Sequence, residues 1–197
     1  DDPLRGPFAC DVAYVKHGHA DPDRAMAELQ ESMAPLAGTP YFDRLTEFLA
    51  ALSRRYRQDP RAPWQEEEIF DDARRKIGAC VPEGHWMNVE NFLVAFQIQV
   101  LSANLRLYCL SALANAGIDF RLYGNHWRED PRFSAYARGP LLRGPDLNGV
   151  YNFSQINLHM NLGGTMHQRL CEGALAGGFF LVSNLDPAND WSPASAY

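Results

Sequence analysis

The segment from Ile156 to Val182, "INLHMNLGGTMHQRLCEGALAGGFFLV", constrains the fold more than any other part of the sequence. It opens as a short apolar run and breaks at a Gly pair. It then continues with helical spacing, breaks at a second Gly pair and ends in the apolar run "FFLV". A strand, a helix and a strand in this order predict a right-handed crossover between parallel strands. The segment therefore indicates an α/β fold.

Further strands are indicated on both sides of a long helical region. The run "CDVAYV" and the alternating "IDFRLYG" are typical of strands, and "ARGPLLRGP" leaves room for a short one. "DLNGVYNFSQ" favours a helix or a turn. We predict neighbouring parallel strands at 11–15, 118–123, 155–160 and 178–183. Residues 24–116 carry helical periodicity and are expected to form a mostly helical insertion between the first two strands.

Composition limits the partners and the compartment. The 197 residues fit one domain with an insertion, and 46% hydrophobic residues supply a core. The net charge of -6 argues against nucleic acid or an anionic membrane as the main partner. No membrane span is expected, because polar residues interrupt the most apolar segment, 92–113. The acidic, proline-broken start is unlike a signal peptide, and four scattered cysteines indicate buried thiols in a reducing compartment, so we expect cytoplasmic localisation.

The Gly pair after the strand "INLHM" lies where a parallel sheet binds ligands, beyond the carboxyl ends of its strands. Gly163 and Gly164 allow a close approach to the main chain. Thr165 and Gln168 fit a capping box, which predicts a helix from Met166 with its N-terminus ready for a phosphate.

The helix that follows carries the titratable residues of the segment. Its periodicity predicts an apolar stripe toward the sheet, made of Leu170, Cys171, Ala174 and Leu175. Arg169 and Glu172 lie one turn apart on a flank with Gly173 and Ala176. Each feature taken singly is ordinary turn chemistry or a surface ion pair. Their convergence at the binding edge of a sheet is what predicts a functional site.

Two sequence motifs resemble those of one enzyme family. "YNFSQINLHMNLGGTMHQRLCEGALAGGFFLV" and the upstream "GIDFRLYGNHW" resemble the signature of glycosyltransferases of the spore-maturation-protein type, and "CDVAYVKHGH" resembles it more loosely. The resemblance covers Ile118 to Val182 and leaves out the helical insertion. It implies a fold of two facing Rossmann-like halves (GT-B), of which residues 1–197 would be the donor-binding half of a longer enzyme.

The resemblance also implies the chemistry. The expected partners are a nucleotide-diphosphate sugar donor and an unknown acceptor, with neither a cofactor nor a metal. Glu172 matches the acidic residue that meets donor hydroxyls, while Arg169 and the turn 163–165 match positions near the diphosphate. The loop at the nucleotide cleft is matched by Gly124, Asn125 and Trp127.

Roles for the histidines stay open at this point. His17, His19, His159 and His167 are all candidates for a base or a diphosphate contact. Related retaining enzymes carry a second glutamate where this sequence has Gly164, so the stereochemical outcome is open as well.

Two other functions compete with glycosyl transfer. "HGHAD", residues 17–21, matches the H-x-H-x-D zinc motif of metallo-β-lactamase-type hydrolases. The last His of that motif is Pro22 here, and the chain then turns helical where that fold needs strands. The third alternative is a non-catalytic binding or interaction module, which the large insertion and the missing acceptor half favour.

Overall fold

The structure, a computed structural model, describes residues 5–18, 21–60, 66–160 and 168–183. In chain order its α-helices are α1 (Arg5–Phe8), α2 (Pro22–Ser32), α3 (Phe42–Gln58), α4 (Glu66–Ile77), α5 (Trp86–Phe96), α6 (Ser102–Asn115), α7 (Pro145–Phe153) and α8 (Gln168–Leu175). The strands are β1 (Cys10–Val15), β2 (Phe120–Tyr123), β3 (Ala137–Gly139), β4 (Ser154–His159) and β5 (Phe180–Val182).

The five strands form one parallel sheet in the order β3-β2-β1-β4-β5. β1 lies at the centre, where Val12 pairs with Phe120 on one side and Ile156 on the other. β1 has buried side chains on both faces of the sheet, as expected for a parallel sheet covered on both faces. This α/β, Rossmann-like sheet is the fold that the sequence predicts, and the predicted parallel pairing is confirmed.

The chain divides into two compact units, with the boundary between residues 107 and 108, inside α6. The sheet unit contains the described residues of 5–18 and 108–183. The helical unit contains the described residues of 21–107. Among the described residues between β1 and β2 there are helices and turns but no strand, which agrees with the predicted insertion.

The helical unit has its own apolar core. Asp21 caps α2, because its side chain accepts hydrogen bonds from the main-chain N–H groups of Asp23 and Arg24, and Pro22 occupies the first turn. Fully buried side chains of this core include Leu29, Leu45, Leu49, Leu93 and Phe96.

The helix predicted over 89–115 continues through a π-turn at Gln97–Leu101 between α5 and α6. Gly117 then ends it at φ 68°, the left-handed cap expected of a glycine there. By length and apolar composition alone, the stretch Glu83–Asn115 could cross a membrane. However, 56% of its most apolar window is buried inside the structure, as in a core helix.

The sheet unit packs aromatic side chains against both faces of the sheet. Tyr14 and Trp127 meet edge to face at 5.9 Å between ring centroids, and Phe120 stacks on Tyr136 at 3.9 Å. A second cluster of Cys10, Ala13, Tyr123 and Val150 is buried together with the flanking Phe8, Val15 and Leu141.

Two predictions about burial are wrong. The expected inward stripe of α8 points outward at Cys171, Ala174 and Leu175, and Leu175 is 90% exposed. The buried position is Gly173, where an added Cβ would lie 2.2 Å from the Phe180 ring. A side chain there would have to displace the Phe180 ring, so the smallest residue and not the apolar stripe faces inward.

The second error concerns the cysteines. All four were expected to be buried, but Cys80 and Cys171 are exposed, and Cys10 is the buried one. Burial raises the pKa of the Cys10 thiol to about 11.

Candidate functional site

A cleft of about 300 Å³ lies in the sheet unit, beyond the carboxyl ends of β1 and β2 and against α7 and α8. This is the edge at which parallel sheets bind ligands. The residues that line it come from five parts of the unit, namely the end of β1, the end of β2, the loop after β3, α7 and α8: Val15, Lys16, His17, Tyr123, Gly124, Leu141, Arg143, Leu147, Tyr151, Gln168, Arg169 and Glu172.

Gly124 allows the first two of these parts to meet. Its φ is 139°, in the region that favours glycine, and an added Cβ would lie 2.2 Å from the carbonyl oxygen of Lys16. The loops after β1 and β2 therefore run in contact. The Lys16 N–H donates to the Tyr123 carbonyl at 2.9 Å, and the buried Trp127 Nε1–H donates to the Lys16 carbonyl at 2.7 Å.

The same contact orients His17. The main-chain N–H of Asn125 donates to Nδ1 of His17 at 3.1 Å, and the Gly18 N–H donates to the Asn125 carbonyl at 3.3 Å. The imidazole is exposed at the cleft and held along one edge. We call these two bonds, together with the Trp127–Lys16 bond, the loop latch.

α8 supplies Arg169 to the opposite wall. Arg169 hydrogen bonds with the hydroxyl of Tyr151, a residue that is 2% exposed and lines the cleft from α7. Burial raises the pKa of Tyr151, and Arg169 opposes this rise through its charge and its hydrogen bond, while the charge of Glu172 adds to it. The phenol therefore stays protonated and fixes one side of the guanidinium.

Glu172 lies one turn further along α8. Its Oε1 accepts a hydrogen bond from Nε2 of Gln168 at 2.6 Å. Glu172 also lines a second groove of about 390 Å³, next to the cleft, which shares Arg143 and Leu147 with it. The carboxylate is thus placed where a ligand extending along α8 could donate hydroxyl groups to it.

Tyr151 is held in place by a buried polar network. Nδ2 of Asn157 donates to the Tyr151 carbonyl at 2.9 Å and to the Phe179 carbonyl at 3.3 Å. The Ser154 hydroxyl has one proton for two acceptors, the Val150 carbonyl at 2.6 Å and Asn157 Oδ1 at 2.9 Å. The Tyr151 ring also packs against Phe180 at 5.6 Å between centroids. These contacts hold the cleft wall beside Arg169 in place.

The charge of the cleft is opposite to that of the chain. The described residues that line it include three cations, Lys16, Arg143 and Arg169, and a single acid, Glu172, whereas the whole chain has a net charge of -6. Among the described residues no ion pair engages Arg143, which is exposed in the loop after β3. The cleft therefore favours an anion.

Four of the residues predicted for the site line this cleft, namely His17, Gly124, Arg169 and Glu172. Asn125 contributes its main chain to the loop latch. Trp127 is fully buried against Tyr14 and Phe133, so its indole supports the Lys16 loop and does not line the cleft. His159 is 2% exposed on β4 and is not part of the lining either.

The other predicted site residues, Gly163, Gly164, Thr165 and His167, lie outside the described residues, as does the predicted helix start at Met166. Sequence reasoning missed Lys16, Arg143 and Tyr151. Arg143 stands just before Gly144 and Pro145, and a cation immediately before a helix start was the available signal.

No group of three or more potential metal ligands is found in the part of the chain that the structure describes. Of the three potential metal ligands in the HGHAD motif, His17 and Asp21 are described, and His19 lies outside the described residues. His17 is engaged in the loop latch, and Asp21 caps α2 in the helical unit.

A family model described as "Glycosyl transferase-like" matches residues 106–193, somewhat less than half of the chain. The matched region contains four of the five strands, both helices that line the cleft, and the candidate residues from Gly124 to Glu172. The match supports a glycosyltransferase family and glycosyl transfer in general. It does not distinguish the spore-maturation-protein type. Comparisons with curated proteins and with solved structures gave no match.

Proposed function

We propose that the chain binds a nucleotide-diphosphate sugar in the cleft and forms the donor half of a GT-B glycosyltransferase of the spore-maturation-protein type. The observation that carries the proposal is a cationic cleft at the carboxyl edge of a Rossmann-like sheet, with nine of its twelve lining residues in the region that matches a glycosyltransferase-like family. A diphosphate is the anionic part of such a donor, and its sugar and ribose hydroxyls need an acceptor such as Glu172.

The cations have separate tasks in this proposal. Arg169 is fixed on one side by Tyr151, and a planar guanidinium can contact two phosphate oxygens. Arg143 approaches from the loop after β3 and Lys16 from the loop after β1. Because transfer places growing negative charge on the departing diphosphate, preorganised cations stabilise the transition state, and no metal is required.

Binding is tested by calorimetric titration of the chain with a panel of uridine and guanosine diphosphate sugars. We expect Glu172→Ala to lose about 1–3 kcal/mol of binding free energy, because donor hydroxyls lose their acceptor. Glu28→Ala is the matched control, since Glu28 is also a helical glutamate but pairs with Arg24 on the surface of the helical unit. Equal affinities for wild type and Glu172→Ala would remove Glu172 from the donor site.

Catalysis is tested separately from binding by measuring release of the nucleoside diphosphate with candidate acceptors and a chelator present. We expect Arg169→Ala to lower turnover more than donor affinity, because its partner charge grows in the transition state. Donor binding without turnover in a longer enzyme containing this chain would favour the non-catalytic module. Activity that depends on zinc would favour the hydrolase. Cytoplasmic localisation also remains part of the proposal.

A further inference from the structure

The loop latch has a consequence for which proton His17 carries. A neutral imidazole has one N–H and one lone pair, and the nitrogen that accepts a hydrogen bond must be the one without a proton. Nδ1 accepts the N–H of Asn125 at 3.1 Å. The ring proton therefore resides on Nε2, at the opposite edge of the ring.

This geometry decides whether His17 can donate or accept a proton at the cleft. Among the described residues Nε2 has no hydrogen-bond partner, and the ring is exposed at the cleft. An Nε2–H group can donate to a ligand oxygen but cannot accept a proton. We infer that His17 binds a phosphate oxygen as a neutral hydrogen-bond donor, and that it is not a general base. The identity of the ligand rests on the proposed function. The tautomer rests only on the hydrogen bond that Asn125 donates.

The donor role fits the surroundings of the ring. Lys16, Arg143 and Arg169 make the cleft attractive to an anion, and phosphate oxygens act only as acceptors toward an N–H group. The latch also fixes the direction of the bond, because Gly124 lets the two loops approach and Asn125 donates from the main chain. Among substitutions at Asn125, only proline removes that donor.

The same tautomer disfavours metal binding by His17. A histidine that binds a metal through Nε2 uses that lone pair and usually donates its Nδ1–H to another group. Here Nδ1 faces the main-chain N–H of Asn125. A proton on Nδ1 would therefore point at the proton of that N–H group. The tautomer of His17 therefore separates the donor role from the hydrolase alternative.

Two substitutions separate the two edges of the ring. In His17→Asn the amide oxygen can lie where Nδ1 is and keep the latch, but the distal donor is lost. In His17→Gln the amide N–H₂ can lie near Nε2 and keep the donor, but the latch is lost. A role in the loop structure alone would change stability and binding in the same order for both variants.

The experiment has three readouts on the full chain. Long-range proton–nitrogen correlation spectra of labelled histidine, above the imidazole titration range, should show the Nε2–H tautomer for His17, assigned by its absence in His17→Asn. Titration with uridine diphosphate should rank wild type first, His17→Gln second and His17→Asn last, with a loss of about tenfold for His17→Asn. In urea unfolding the order of the two variants should reverse. His17→Asn should have the larger free energy of unfolding, because it keeps the latch.

An Nδ1–H tautomer would overturn the inference, and so would His17→Asn binding at least as tightly as His17→Gln. If the wild-type protein does not bind uridine diphosphate, guanosine diphosphate or inorganic pyrophosphate, both the proposed function and the phosphate-donor role of His17 are wrong. The spectrum then still decides the tautomer, so the two failures can be distinguished.

Discussion

The contact between the loops after β1 and β2 gives a sharp prediction for Gly124→Ala. The residue has φ 139°, and an added Cβ would lie 2.2 Å from the Lys16 carbonyl oxygen and 2.6 Å from its carbon. Real Cβ atoms do not approach main-chain atoms so closely, so the loops must separate. Separation stretches the loop latch, including the Trp127–Lys16 bond.

Gly18→Ala is the matched control for this variant. Gly18 has φ 135°, nearly the same main-chain conformation, but no described atom lies within 4 Å of a Cβ there. Main-chain strain costs each variant about 1–3 kcal/mol. The clash at Gly124 adds about 1–3 kcal/mol more, the usual cost of overpacking. The difference between the two free energies of unfolding therefore measures the clash alone.

Urea unfolding followed by far-UV circular dichroism and intrinsic fluorescence measures both values. We expect Gly124→Ala to be the less stable variant by about 1–3 kcal/mol. Equal destabilisation of the two variants would refute the reasoning, because it would show that the loops can separate at no cost and that the latch does not hold them.

Three further predictions concern packing and burial. Gly173→Ala should destabilise the chain by about 1–3 kcal/mol, because its Cβ would meet Phe180, and a double-mutant cycle with Phe180→Ala should recover most of the loss. Asn157→Ala should cost about 1–3 kcal/mol in urea unfolding, since the Tyr151 carbonyl loses the side-chain donor of a buried hydrogen bond. Alkylation just below pH 9 should leave Cys10 unmodified in peptide mass spectra, because its thiol has a pKa of about 11, and should label the exposed thiols Cys80 and Cys171. Labelling of Cys10 as fast as these two would contradict its burial.

Local sequence patterns were sufficient for the elements of the sheet. Apolar runs bounded by glycines predicted the strands to within a few residues, and helical periodicity predicted the insertion. The strand order was not accessible in this way. The central position of β1 is decided by packing between residues that are far apart in sequence. Local patterns do not contain this information.

The candidate site was predictable only where its residues follow a strand or helix signal. Gly124, Arg169 and Glu172 stand at such points. Arg143 lies in a loop, and the local sequence of the loop does not predict the course of its main chain. Tyr151 has the sequence pattern of an ordinary buried residue of a helix. The inward face of α8 was assigned incorrectly, because hydrophobicity predicts what can be buried but not how closely a helix approaches its neighbour.

The insertion between β1 and β2 affects how the protein is made. The central strand is synthesised first, yet both of its partners come late: Val12 pairs with Phe120 and Ile156, and the Asp119 N–H donates to Asp11 across 108 positions of the chain. At about 5–20 residues per second on the ribosome, β1 waits roughly 5–20 s for its first neighbour. During that time the main-chain N–H and C=O groups along both of its edges are unpaired. The helical unit has local contacts and can fold meanwhile, which shortens the effective loop that β1 and β2 must close.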